Sequence, residues 1–397
     1  MIKRGVYPVS IGGSLDVGGH IPTPTADALA HSQRLVAMIE ASIRAEHGGL
    51  AFDRFMEAAL YAPGLGYYAA GARKFGPEGD FVTAPEIGSL FGQCVGQQVA
   101  GIFEELGHGV LLEVGPGTGR LMVDVLEVLA ILGALPDAVL LLETSPELRE
   151  RQHALLRRRL PDYVPRVTWL SEWPSDEFEG VVLANEVLDA MPVKRFRVAA
   201  GQPLVAHVIH EASGFGWDWY DADTGSATRL IERYALPDDY TTEVNERAPA
   251  WVRDLGQRLH RGVLLVIDYG FPGHEYYHPD RRDGTLMCHY RHHAHGDPFS
   301  YPGLQDITAH VDFSALAEAG AESGLRVAGF SSQAGFLLSL GLLERAEAMS
   351  DAMAAARQVK YLTLPSEMGE LFKVMALSRG IKQPLEGFSL GDRTRAL

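Results

Sequence analysis

The sequence predicts an α/β protein built on a doubly wound, mostly parallel, Rossmann-like sheet, and three observations carry that expectation. Short unbroken apolar runs recur: VLLEV (110–114), AVLLLE (138–143), VTWL (167–170), GVVLAN (180–185) and GVLLVID (262–268). Apolar runs without polar alternation fit strands covered on both faces. Helical patterns, LMVDVLEVLAIL (121–132) and PELRERQHALLRRRL (146–160), lie between them. The first run also passes directly into GPGTGR, a strand-to-helix turn at the carboxyl edge where such sheets bind ligands.

Composition bounds the rest. The chain has 397 residues, 46% apolar and 22% charged, which suits a globular protein with a sizeable core and excludes a disordered one. No apolar run approaches the roughly 18 residues of a membrane span. There are 35 Lys and Arg against 51 Asp and Glu, a net charge of -16, which argues against a general nucleic-acid binder. An acidic surface suits a cationic partner, or simply keeps the protein soluble. Cys94 and Cys288 are the only cysteines, too few for a disulfide framework or a thiolate zinc site, so a reducing, cytoplasmic setting is expected.

Residues 1–30, rich in Gly, Pro, Ser and Thr, read as a leader with the features of neither a secretory signal nor a transit peptide. Residues 31–108 read as a helical and lid segment. Leu35, Val36, Ile39 and Ile43 recur at helical spacing from about Ser32, a second helix runs Phe52 to Leu60, and a third runs Ser89 to about Leu106. Between them lies YAPGLGYYAAGARKFGPEGDFVTAPEIG, too dense in Gly and Pro for regular structure. Residues 109–380 form the sheet-bearing core. Two insertions interrupt it: hairpins at about 195–245, expected on the sheet edge, and an irregular loop at 271–310. FSALAEAGAESG (313–324) reads as a helix, LRVAGFSS (325–332) as a strand, 334–360 as helical and LFKVMALS (371–378) as a last strand, leaving 381–397 as a tail.

Gly115, Gly117 and Gly119 occupy the turn after the first run, where glycine permits positive φ and a close approach of ligand to backbone. A dinucleotide fingerprint would need glycine at 120, which is Arg120; the pattern here runs E-x-G-x-G-x-G from Glu113. A purely structural glycine turn is the alternative. Glu143 closes the second strand, where an acid can accept from both ribose hydroxyls of a nucleoside, the reading the upstream glycine turn favours; the alternative is a carboxylate ahead of the Ser145-Pro146 helix start. The fourth strand ends in Asn185-Glu186, with Asp189 three residues on. A helical turn there would put both acids on one face of the cleft, unless they are only a solvated, acidic helix start.

Six stretches in order, GDFVTAPEIGSLFG (79–92), EVGPGTGR (113–120), LLETSPELRERQ (141–152), ANEVLDAMPV (184–193), LVIDYG (265–270) and HVDF (310–313), make the chain resemble the MidA family over roughly residues 35–380. The resemblance implies a class I methyltransferase fold, S-adenosyl-L-methionine as donor, and a protein arginine as acceptor. It further implies symmetric dimethylation of a subunit of respiratory complex I during assembly, with relatives in the mitochondrial matrix. On that reading the donor is held by Thr83, Pro85, Glu86, Glu113, Gly115, Gly117, Gly119, Glu143 and Asn185.

Methyl transfer from a sulfonium needs alignment and exclusion of water rather than a metal. Carboxylates can hold the acceptor guanidinium in bidentate geometry, the role expected of Glu186 and Asp189, with Asn185 fixing the loop or the acceptor. His310, with a reference pKa near 6.5, is a candidate proton acceptor beside Asp312, which could instead cap the helix at Phe313. Asp268 and Tyr269 either line the acceptor channel or, for Asp268, cap the next turn. Gly79 and Gly88 allow turns in a lid, which Tyr67 and Tyr68 either support or leave for hydrophobic packing.

His289, His292, His293 and His295 cluster without HExxH or thiolate partners, so they read as a polar loop and no metal is expected. Competing readings are a small-molecule methyltransferase, a non-catalytic donor-binding assembly factor, and a nicotinamide-dependent dehydrogenase, the last disfavoured by Arg120. The edge hairpins could pair two copies as a homodimer.

Overall fold

The computed structural model describes residues 21–70, 83–221 and 225–397. Its central sheet contains β1 (Val110–Val114), β2 (Ala138–Leu142), β3 (Val167–Leu170), β4 (Phe178–Asn185), β5 (Leu259–Phe271), β6 (Arg326–Ser332) and β7 (Phe372–Arg379). Their order across the sheet is β6-β7-β5-β4-β1-β2-β3. The pairings among β1 to β5 are parallel, and β7 runs antiparallel to both of its neighbours. A two-residue strand, Val311–Asp312, adds in parallel to the end of β5. This is the doubly wound, mostly parallel architecture that the alternation of runs and helices predicts.

The unbroken apolar runs follow from the two-residue side-chain period of a strand covered on both sides. Leu111, Val181, Leu183, Val263 and Leu265 enter the core formed with helices Ser89–Leu106 and Arg120–Leu132. Leu112, Val114, Val182, Ala184, Leu264 and Val266 enter the opposite core, with helices Arg247–Arg258 and Phe313–Glu322. The polar exceptions, Glu113 on β1 and Asp268 on β5, fall near the carboxyl ends of their strands.

Four expectations are corrected. The first helix starts at Ala26, not near Ser32, with the Thr25 hydroxyl accepting from the Ala28 amide. Its apolar stripe begins only at Leu35, so its first turns carry no periodic signal, and residues 26–30 belong to the fold rather than to a leader. The strands of 195–245 do not extend the central sheet. Lys194–Ala199, Gln202–Glu211, Gly214–Asp221 and Thr241–Val244 join Leu50–Ala51 in a second sheet. That sheet has cores of its own: Ala206 and Val208 pack on Leu35, Ile39 and Phe55, and Phe196 and Val198 pack with Tyr240, Tyr276 and Tyr277.

The 271–310 insertion is ordered as a short helix, Gly273–Tyr276, and a three-stranded sheet of Met287–Tyr290, His293–His295 and Asp306–Thr308. Residues 381–397 are no free tail, because Ile381, Leu385 and Phe388 bury against the core that holds Phe336. Among the described residues no helix is long and apolar enough to cross a membrane.

Candidate active site

The strand order reverses between β1 and β4, and the crevice beyond their carboxyl ends is where ligands bind in open α/β sheets. A cavity of about 1980 Å³ opens there. That is larger than the roughly 300–1,000 Å³ of a typical small-molecule site, so it has room for more than one ligand.

One half of the cavity is built on the glycine turn. Gly115, Gly117 and Gly119 have φ of +61°, +52° and +83°, the left-handed region closed to most side chains. A side chain at Gly119 would also meet Gln152 at 3.1 Å. Glu143 lines the cavity at the end of β2. One of its oxygens accepts from the Ser145 amide at 2.8 Å and the other from Gln152 Nε2 at 3.2 Å. Gln152 also donates to Gly117 O at 2.8 Å and accepts from Trp169 Nε1 at 2.9 Å. This fully buried glutamine ties the glycine turn to the acid beside it, and sequence reasoning assigned it no role. A glutamine on a helix carrying five arginines gives no local signal.

Glu113 is buried at the end of β1, and its Oε2 has no hydrogen-bond partner among the described residues. Burial, reinforced by the nearby Glu143 charge, pushes its carboxyl up to about 8. Thr83, Pro85 and Glu86 line the same half, with Glu86 accepting from the Thr118 hydroxyl. Gly79 lies outside the described residues.

The other half is acidic. Asn185, Glu186 and Asp189 all line the cavity, but the helical turn expected to align them is absent. Glu186 instead has φ +53°, a strained value for a residue with a Cβ. The cause is Asp268. It is fully buried on β5, and its Oδ2 accepts from the amides of Val187, Leu188 and Asp189 at 3.2, 2.9 and 3.3 Å. It therefore caps the loop that precedes it in space, after the neighbouring strand, and it does not line the cavity.

Desolvation raises the Glu186 carboxyl to about 8, with the Asp189 charge adding to the effect and Asn185 and the Ala84 amide opposing it. Desolvation raises Asp189 to about 6, opposed by a hydrogen bond from Tyr269. Asn185 Oδ1 and Asp189 Oδ1 are buried acceptors without a donor among the described residues. Unsatisfied buried acceptors of this kind are costly until a donor arrives.

The fold adds groups that no motif indicated. Asp306, from the three-stranded insertion, lines the cavity and accepts from the Tyr68 hydroxyl at 3.0 Å. Its charge reaches Glu186, Tyr61 and Tyr269. Tyr61 donates to Ala190 O at 2.9 Å, steadying the turn after Asp189. Of the two tyrosines expected beneath the lid, Tyr68 reaches the cavity and Tyr67 is core.

Two expected residues are corrected. His310 lines the cavity, but burial and the nearby Arg281 cation pull its imidazole down to about 3, so it stays neutral and is a weak base at neutral pH. The ring is stacked on Phe271 at 5.2 Å and edge-on to Tyr269 at 5.1 Å, a buried position that the reference value ignores. Asp312 is outside the cavity lining and caps helix Phe313–Glu322, accepting from the Ser314 and Ala315 amides at 3.0 and 3.2 Å. Among the described residues no three His, Cys, Asp or Glu side chains group as metal ligands.

Residues 94–331 match the model of a family described as "Putative S-adenosyl-L-methionine-dependent methyltransferase". The chain is 28% identical over 363 residues to the mitochondrial protein arginine methyltransferase NDUFAF7 homolog of Caenorhabditis elegans, with 83% of each chain covered. It is also 28% identical to the human NDUFAF7 protein, with 83% of this chain and 80% of that one covered. A Burkholderia thailandensis protein crystallised with S-adenosyl-homocysteine is 45% identical and superposes with a TM-score of 0.92, over 95% of this chain and 100% of that one.

Proposed function

This chain belongs to the S-adenosyl-L-methionine-dependent methyltransferases of the MidA type, and from that premise we propose that it methylates arginine on a protein. S-adenosyl-L-methionine is the cofactor, and the glycine-turn half of the cavity fits it. The positive-φ glycines leave the backbone bare for close approach. Glu143 would meet the ribose, and the unpartnered Glu113 oxygen would answer a cationic end of the donor. When bound, the cofactor supplies an activated methyl group on a sulfonium.

The observation that carries the arginine reading is the pair of buried acceptor oxygens, Asn185 Oδ1 and Asp189 Oδ1, beside the carboxyl of Glu186. An arginine guanidinium brings five donors and a positive charge, which is what such oxygens lack. In this reading Glu186 and Asp189 hold the guanidinium plane and draw its charge away from one nitrogen. Glu186, with a carboxyl near 8, then takes the proton that this nitrogen releases and passes it to solvent. Asp306 and Asn185 keep the plane in register, and Tyr269 holds Asp189 in place. Asp268 acts through the loop it caps and is a positioning residue.

The finer reading follows the family resemblance: symmetric dimethylation of an arginine on a respiratory complex I subunit. The test is transfer of labelled methyl groups from the donor to candidate protein acceptors, with acid hydrolysis and separation of the methylated arginines. Label in symmetric dimethylarginine supports the whole reading. Label only in monomethylarginine removes the dimethylation step, and label in another residue or in none removes arginine. The double variant E186Q/D189N should bind donor as the wild type does and transfer nothing.

A further inference from the structure

Resting on the arginine reading, we propose that the same cavity selects acceptors carrying an acidic residue near the target arginine, through an anion subsite made by Arg281 and Lys373. Both residues line the cavity. They sit on the side of β5 away from the glycine turn, since Lys373 lies on β7 opposite Asp268 and β7 is separated from β1 by β5 and β4. The cofactor half is therefore served without them.

Their positive charges are not spent within the protein. Lys373 is 5% exposed, and among the described residues its Nζ donates only to the backbone carbonyls of Glu370 and Leu371. The Glu370 carboxylate is taken by Arg393 in a two-point pair at 2.9 and 3.0 Å. Arg281 uses Nε on Glu275 O at 2.9 Å, leaving its two terminal nitrogens, and its guanidinium lies 3.9 Å over the Phe271 ring. Among the described residues neither cation makes an ion pair. Of the acids whose charge reaches them, Glu370 is held by Arg393 and Glu275 is half-exposed on the rim, where water screens it. Burial pulls Lys373 down to about 8 and Arg281 below its ordinary value, the mark of cations short of an anion.

The spacing suits one short peptide. Ring centroids lie 5.1 Å apart for Tyr269 and His310 and 5.2 Å apart for His310 and Phe271, and the Arg281 guanidinium lies 3.9 Å from the Phe271 ring. Tyr269 touches Asp189 at the acidic end. An extended chain advances about 3.3 Å per residue, so these distances taken end to end put at most about four residues between the two charges. The aromatic wall of Tyr269, His310 and Phe271 between them would carry the intervening backbone.

The experiment uses the full-length enzyme, labelled S-adenosyl-L-methionine and nonapeptides with one central arginine. Each peptide is made as a Glu and Gln pair at every offset of up to four residues. At one offset the Glu peptide should show a KM about tenfold below its Gln partner, the worth of one charge-assisted hydrogen bond. In R281Q and K373M that ratio should fall toward one, and in R281E a Lys peptide should be preferred at the same offset. R281Q changes a half-buried rim residue, so the ratio can be read even if K373M fails to fold. Equal KM for Glu and Gln at all offsets overturns the anion subsite and leaves arginine methylation standing. Equal methylation of peptides whose arginine is replaced by lysine overturns arginine specificity, while a Glu preference lost in R281Q would still uphold the subsite. Methylation of no peptide overturns both.

Discussion

Raising the pH should switch the acceptor site on. Glu186 titrates near 8 and Asp189 near 6, both raised chiefly by loss of hydration. The acceptor guanidinium stays charged throughout this range, so only the acids change state. At pH 7 about a tenth of Glu186 and about nine-tenths of Asp189 are ionised, and at pH 9 about nine-tenths of Glu186 and almost all of Asp189. Capture of a cation requires the ionised forms. The acceptor kcat/KM therefore climbs about tenfold per pH unit between the Asp189 and Glu186 inflections, more steeply below the former, and levels off above the latter. The positive charge of bound donor favours the carboxylate, so the inflection of the loaded enzyme falls at or below 8. The assay is the initial rate of label transfer at saturating donor and constant ionic strength. In E186Q the upper inflection should vanish while the one near 6 persists. A flat wild-type profile between pH 6 and pH 9, or an unchanged rise in E186Q, would refute the assignment of these acids to the acceptor.

Q152A removes the bonds to Glu143 and Gly117, so donor affinity measured by calorimetry should weaken about tenfold while the acceptor KM holds. D268N turns one carboxylate oxygen into an NH2, so either the three loop amides on Oδ2 or the Tyr269 amide on Oδ1 faces a donor, which should cost about 1–3 kcal/mol in denaturant unfolding and lower kcat far more than donor affinity. D312A loses a helix cap worth about 1 kcal/mol, and its kcat/KM should stay within about twofold of wild type; a collapse in activity would return Asp312 to the site. Glu113 binds its proton more tightly when folded than unfolded, so without donor its contribution to stability is complete below about 4.5 and is lost as the pH rises toward about 8. E113Q should flatten that decline in a thermal-unfolding series, and an unchanged slope would show that Glu113 is not its source.

Several features were legible because they depend on near neighbours in the chain. VLLEV and VTWL form strands with the predicted ends, and PELRERQHALLRRR forms the predicted helix, because strand and helix periods are local properties of the backbone. The glycine turn was legible because positive φ at three alternate positions admits little else. Glu143, Asn185, Glu186 and Asp189 were found as strand-end polar residues, at the edge where this topology opens its crevice.

The misreadings share a cause. The Glu186–Asp189 spacing suggested a helical turn, yet the loop takes its shape from Asp268, some 80 residues away in sequence. His310 looked titratable until Phe271 and Arg281 were packed around it. Gln152, Asp306 and Lys373 carried no signal at all, since each acquires its role from groups on other elements.

By itself, then, the sequence determined the layered α/β architecture, the ligand edge of its sheet and the kinship from which the chemistry follows. Tertiary structure alone decided which acids converge, which histidine is neutral, which aspartate merely caps a helix and where a buried lysine and a half-buried arginine face the cavity. The division has a physical reason. Backbone conformation is set over a few residues, whereas hydration and electrostatic potential at a side chain are summed over everything that surrounds it in space.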